Sequence, residues 1–301
     1  MIRLFALTSV LMVAVMPAAQ TMGEETTTAR KVLLPTATRE VPFSTSLLLD
    51  GKSLPTNWEQ HPLARAIAFA TEHKAFVDEH VKDFSCILAK RERINGRLHD
   101  YEYLRTSVRR ELTSGGQMVP FSVYAEFLAP KKVLGRKVLY VEGRNENKML
   151  VRNGGLRFGH VVVSISPTSD AVLRESRYPI TELGLSNVVG RLIEQAVHDI
   201  IADPDAKNTE VVFFQDAKID GRVCTHIRVT HPTQDSIFEF HQANIYVDDE
   251  LKVPLRVESY MWPKAAGEPP LLTEEYTYMR LKLNVGLTDA NFSEDLVRSQ
   301  P

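Results

Sequence analysis

The sequence predicts a mainly β fold with helices, of the α+β class: a large curved antiparallel sheet or unclosed β-barrel of roughly ten strands, with two helices packed on one face. Three observations lead there. Apolar and polar residues alternate through most of the chain after Asp83, the period of a half-buried strand. Turn pairs such as Asn95-Gly96 and Asp220-Gly221 punctuate those runs at short spacing. Only two stretches, His61 to Val81 and Gly184 to Ala202, carry the three-and-four spacing of an amphipathic helix.

At the N-terminus, Met1-Ile2-Arg3, an uncharged run from Leu4 to Met16 and the small-residue exit Pro17-Ala18-Ala19 have the layout of a secretory signal peptide over residues 1–19. The run falls short of the about 20 residues a spanning helix needs, a membrane anchor being the alternative. No Cys lies near the cut, which excludes a lipid-anchored mature N-terminus. The mature chain is expected in the periplasm or outside the cell, without a transmembrane anchor. Residues 20–60, rich in Thr, Ser and Pro, read as a partly disordered tether with one short strand at Ser46–Leu49. A single β domain is expected over 61–292, followed by a polar tail over 293–301. The net charge of −2 argues against nucleic acid as a partner.

The first helix buries Leu63, Ala66, Ile67, Ala70, Val77 and Val81. Extended runs follow at Phe84–Lys90 and Tyr101–Arg105, joined through Asn95-Gly96, whose residues accept positive φ. Further strands are expected at Phe121–Phe127, Lys137–Val141 and Met149–Arg152, with turns near Gly143 and Gly154. The second helix buries Leu185, Val188, Val189, Leu192, Ile193, Ala196, Val197 and Ile200, and Asp203-Pro204 ends it. The remaining runs are Glu210–Asp216, Val223–Thr230, Ile237–Val247, Val253–Tyr260 and Leu271–Leu283.

Chemistry is mostly absent from this pattern. There is no phosphate loop, nucleophile elbow, H-E-x-x-H or C-x-x-C, so no cofactor, metal site or catalytic constellation is expected. His73 and His80 read as solvent-facing positions on the first helix; His226, His231 and His241 fall on or near successive strands, where only convergence would make a zinc site. Lys90-Arg91-Glu92-Arg93 reads as a solvated strand edge, with an anionic headgroup or partner protein as the functional alternative. Glu274 and Glu275 are strand neighbours that point to opposite faces and read as surface charge. Cys86 and Cys224 are either two buried thiols or one disulfide, which would close a loop of about 138 residues worth about 5 kcal/mol in the chain-entropy model.

The strand faces are more informative. Phe121, Val123, Phe127, Phe238, Phe240, Leu255 and Val257 alternate with Ser122, Glu126, Glu239, Arg256 and Glu258. They are expected to line one apolar space between the sheet and the helices, either a filled core or a cavity left open for an apolar ligand. The parity of Ile237–Val247 changes near Ala243, which predicts a bulge there.

Several stretches carry a family resemblance. Asp83-Phe84-Ser85-Cys86 running into Lys90–Gly96, Pro120–Tyr124, Arg177–Thr181 and Leu281–Asp289 resemble an uncharacterised family of exported bacterial proteins, a domain of unknown function, over about residues 60–292. More distantly, an export signal, an early amphipathic helix, an inserted helix midway and a closing strand series are similar to the periplasmic lipoprotein carriers of the LolA and LolB group. That second likeness implies an unclosed barrel with a helical lid over an apolar cavity. The resulting expectation is a non-catalytic periplasmic carrier or sensor of a lipid, lipoprotein acyl chain or other apolar group. The alternative is a cell-envelope protein that uses its sheet to hold a protein partner.

Overall fold

The computed structural model describes residues 30–32, 54–114, 116–154 and 161–298. The signal-peptide segment and the strand expected at Ser46–Leu49 lie outside the described residues. The chain runs β1 (Arg30–Val32), α1 (Pro62–His80), β2 (Asp83–Ile94), β3 (Arg97–Leu98), β4 (Glu102–Arg109), β5 (Leu112–Ser114), β6 (Gln117–Val119) and β7 (Ser122–Ala129). It continues β8 (Lys137–Val141), β9 (Met149–Arg152), β10 (Val162–Ile165), α2 (Asp170–Leu173) and α3 (Leu185–Ala202). It closes with β11 (Glu210–Ile219), β12 (Arg222–Thr230), β13 (Gln242–Asp248), β14 (Pro254–Met261), β15 (Leu271–Leu283) and α4 (Asp295–Arg298).

Thirteen strands form one sheet in the order β1-β11-β12-β13-β14-β15-β2-β4-β7-β8-β9-β10, with β3 beside β2, while β5 and β6 make a separate ribbon. The pairings are antiparallel, including the long-range one that joins β15 to β2. The ends of the order, β1 and β10, are not neighbours, so the sheet is open rather than a closed barrel. This is the fold class expected from the sequence. The strand count exceeds the expectation because β1, β3, β5, β6 and β10 are too short to show alternation.

Local chemistry explains the main features. Asn95 and Gly96 take φ of 51° and 78°, and Asp220 and Gly221 take 51° and 77°, the paired positive φ of a hairpin turn whose twist matches its strands. Register shifts at Phe214/Ala217 and Met279/Lys282 put Asp216 and Arg280 at φ of 63° and 52° and bend the long strands. His61 caps α1 by accepting the Leu63 amide on Nδ1 at 3.2 Å, and Pro62 takes the first helical position, where its missing N–H costs nothing.

α1 and α3 lie against each other and over β11 to β13. Leu63 and Ile67 meet Val189, Ile193, Val197 and Ile200, and this layer rests on Val229 and Ala243. A second core, with Phe84, Leu88, Val108, Val123 and Leu255, lies against the rest of the same face. On the outer face, Phe214, His226 and Tyr246 stack across three strands at ring distances of 4.8 and 4.3 Å.

Three expectations are corrected. The run Ile237–Val247 is not one bulged strand: β13 starts at Gln242, and Asp235 turns the chain before it by accepting the Ile237 amide on Oδ1 at 3.1 Å. The change of parity near Ala243 marks a strand beginning, and the bulge lies at Tyr246/Val247 instead. His73 is not solvent-facing but buried, stacked on Phe69 at 4.0 Å. Within the tail expected over 293–301, α4 buries Val297 beside Phe292, Leu139 and Leu150.

Candidate functional site

A cavity of about 610 Å³ opens between the concave face of the sheet and a cover made of α2, the 3₁₀ turn Ile180–Leu183 and one side of α3. One end is apolar. Leu104, Phe127, Val138, Met149 and Val151 reach it from β4, β7, β8 and β9, and Val172 and Ile180 close it from the cover. These strand residues occupy alternate positions, so the pleat delivers them to one side.

The other end is polar and built on β2 and β15. Lys90 Nζ donates to Glu92 Oε2 at 2.9 Å and to Ser176 Oγ at 3.2 Å, and lies 3.4 Å from Glu102 Oε2. Glu92 also accepts the Tyr276 hydroxyl and the Arg177 amide. Glu274 accepts Arg177 Nε at 2.8 Å and the Tyr178 hydroxyl at 3.1 Å. The Arg191 guanidinium lies over the Tyr178 ring, 3.6 Å from its centroid. Burial works against the Glu92 charge, but Lys90 and the donated hydrogen bonds overcome it and hold the carboxyl below its ordinary value. Burial and the adjacent Glu274 push the Tyr178 hydroxyl up to about 12, so it remains a donor at neutral pH.

The structure separates the seven residues expected to share one space. Phe127, Phe240 and Val257 line the cavity. Val123 and Leu255 lie in the core, each 0% exposed. Phe121 precedes β7 and lines a second cavity of about 420 Å³ against Tyr140. Phe238 sits in the loop before β13 and stacks on His231 at 3.8 Å. Cys86 and Cys224 are unbridged, buried thiols in the same core, and burial raises both to about 12.

The polar end was hidden by two readings that the structure corrects. The run Lys90–Arg93 is not a solvated edge, because β2 is a central strand between β15 and β4. Lys90 and Glu92 therefore turn inward and are buried, while Arg91 and Arg93 go to the other side. Glu274 and Glu275 do point to opposite faces, yet neither is surface charge. Glu274 enters the cavity, and Glu275 accepts from Tyr101 at 2.8 Å and meets Arg256 at 3.2 Å outside it. The available signal was parity: Lys90 and Glu92 continue the buried series Cys86 and Leu88, and Glu274 continues Tyr276 and Tyr278.

Among the described residues no group of His, Cys, Asp and Glu is placed to hold a metal ion. His226, His231 and His241 do not converge: His226 meets Asn244 at 3.0 Å, whereas His231 Nε2 meets Asp199 at 3.2 Å. No helix among these residues is long and apolar enough to cross a membrane.

The model of the DUF1571 family, described as a protein of unknown function, matches residues 81–297. No curated protein matches the sequence. Among solved structures, the chain is similar to a DUF1329 family protein from Desulfovibrio piger at 15% identity, covering 79% of this chain and 99% of that one with a TM-score of 0.35. It is similar to the Pseudomonas aeruginosa MucA/MucB complex at 14% identity, covering 76% of this chain and 60% of that one with a TM-score of 0.40. A LolA superfamily protein from Nitrosomonas europaea is similar at 14% identity, with 75% and 98% covered and a TM-score of 0.29. The resemblance to a domain of unknown function recurs in the family match, and none of these structures carries a function to the chain.

Proposed function

The chain belongs to DUF1571, a family of proteins of unknown function, and from its geometry we propose that it is a non-catalytic binding protein that takes an apolar chain into the cavity beside α3. The observation that carries this reading is the cavity itself, about 610 Å³ with one apolar and one polar end. Small-molecule sites fall at about 300–1,000 Å³ and combine an apolar lining with a few placed polar groups. Each methylene transferred from water to the apolar end contributes roughly 0.8 kcal/mol, so a chain of about ten supplies enough to offset the cost of association. A binding role also suits the carboxylates: Glu92 and Glu274 are each held by a cation and a tyrosine hydroxyl, which leaves neither free as a general base. The charge-free run from Leu4 to Met16 supports a periplasmic or secreted location.

The test is a plug. Val151 is half-buried on β9 and lines the apolar end. Val151→Trp is expected to leave the unfolding midpoint near that of the wild type and to abolish saturable uptake of a fluorescent fatty-acid probe. Undiminished uptake by a folded Val151→Trp variant, or no uptake by the wild type, rejects the cavity as the binding site.

A further inference from the structure

The polar end of the cavity has an uneven distribution of partners. Lys90 and Arg177 are held by Glu92, Glu102 and Glu274, and at the mouth Arg136 pairs with Glu175 at 2.7 Å. Arg191 differs. It is half-buried on α3, lines the cavity, and has no hydrogen bond or ion pair among the described residues; it lies on the face of Tyr178 and close enough to Tyr278 to act on its hydroxyl. Its Nη1 is covered from solvent and still without a partner. A guanidinium carries five donors in a fixed planar fork, and stacking on a ring satisfies none of them. A covered donor left unpaired is costly, and an acceptor arriving from outside would relieve that cost.

The cavity lining as a whole carries eight glutamates against four cations, Lys90, Arg136, Arg177 and Arg191, and the carboxylates beside Lys90 and Arg177 are Glu92, Glu102 and Glu274. The three carboxylates are nevertheless engaged elsewhere, by Lys90, by Arg177 and by the hydroxyls of Tyr276 and Tyr178. The ring of Tyr178 fixes one face of the Arg191 plane, and the Tyr178 hydroxyl is itself tied to Glu274. The fork is thus oriented before any ligand enters, and its geometry suits two oxygens of one oxyanion.

We propose that Arg191 binds the head of the ligand, and that the ligand is a single-chain amphiphile ending in an oxyanion, a carboxylate or a phosphate monoester. Its chain runs toward Phe127 and Met149. This rests on the cavity reading above and adds the head-group chemistry to it.

The test compares three probes of equal chain length on the mature protein by titration calorimetry: hexadecanoate, hexadecyl phosphate and hexadecanol. The wild type is expected to bind at least one of the anions about tenfold or more tighter than the alcohol, as loss of a charged hydrogen-bond partner predicts. Which anion wins identifies the oxyanion. Arg191→Gln should erase that preference, weakening the anions far more than hexadecanol, and Arg191→Lys should restore part of it. Equal wild-type affinity for all three overturns the head-group assignment while the cavity stands, and so does an anion preference that survives Arg191→Gln. Failure of all three to bind overturns the cavity reading and this inference with it. The wild-type ratio needs no variant, so the assignment stays falsifiable if Arg191→Gln fails to fold.

Discussion

Over β11 to β13 the concave face lies under two long helices, whereas over β2 to β9 it lies under α2, the turn Ile180–Leu183 and one edge of α3. The space left in the first region is about 80 Å³; in the second it is about 610 Å³. Both regions use alternate strand residues of the same sheet, so the difference comes from the cover. α1 and α3 span 19 and 18 residues and present continuous apolar stripes that interdigitate with the strands. α2 spans 4 residues and cannot present a stripe. One region is therefore built for stability and the other keeps room for a guest, and substitutions in the two should behave differently.

The largest effect is expected where the closed region buries a polar pair. His231 Nε2 meets Asp199 Oδ2 at 3.2 Å, and His231 Nδ1 meets the Asn208 carbonyl at 2.9 Å. The side chains are 0% and 1% exposed. Asp199→Ala strands a buried ring nitrogen and should cost about 3–5 kcal/mol in urea unfolding. Next comes apolar packing: Ile200 is 0% exposed, and Ile200→Ala should cost about 2–5 kcal/mol by the same measurement. A loss below about 1 kcal/mol in both variants would break the comparison.

The outer face supplies a control unconnected with either cover. Burial between Phe214 and Tyr246 lowers the His226 ring to about 4 from an ordinary 6.5, with Arg228 adding to the shift and the hydrogen bond to Asn244 opposing it. The folded ring therefore stays neutral between those values while the unfolded one takes up a proton. Stability from this group falls as pH drops from 6.5 to about 4 and is level below that. The loss is on the order of 3 kcal/mol. His226→Phe keeps the stack and should flatten this part of the stability profile, read as the difference between wild type and variant at pH 7 and pH 4. An unchanged profile would reject a buried neutral His226.

The closed region was more legible than the open one. The stripes Leu63, Ile67, Val77 and Val189, Ile193, Val197 are local patterns, and so are the hairpin turns at Asn95-Gly96 and Asp220-Gly221. Nothing local distinguishes a charged edge strand from a charged central one. Lys90 and Glu92 are buried because β15 pairs with β2 from the far end of the sequence. Arg177 and Tyr178 reach Glu274 through a segment with no regular period of its own. Phe238 misled for the opposite reason: its alternation with Glu239 and Phe240 imitates a strand, while Asp235 has already turned the chain into a loop.

The smallest expected effect divides the two regions most cleanly. Ile165 sits on β10 opposite Met149, is half-buried and lines the cavity. In Ile200→Ala the neighbours surround the lost atoms, so the cost includes both transfer and a new void. In Ile165→Ala part of the lost surface already faces open space, so only a fraction of the transfer term applies and the cost should stay below about 1.5 kcal/mol. The same change removes contacts from the wall that would meet a bound chain. Losing the equivalent of one methylene contact of about 0.8 kcal/mol weakens a fatty-acid probe about fourfold. Urea unfolding and probe titration on one preparation measure both quantities. A small stability loss with weakened binding keeps the contrast between a filled and an open region. If Ile165→Ala costs as much as Ile200→Ala, the wall is packed core, and the sheet is closed over its whole concave face.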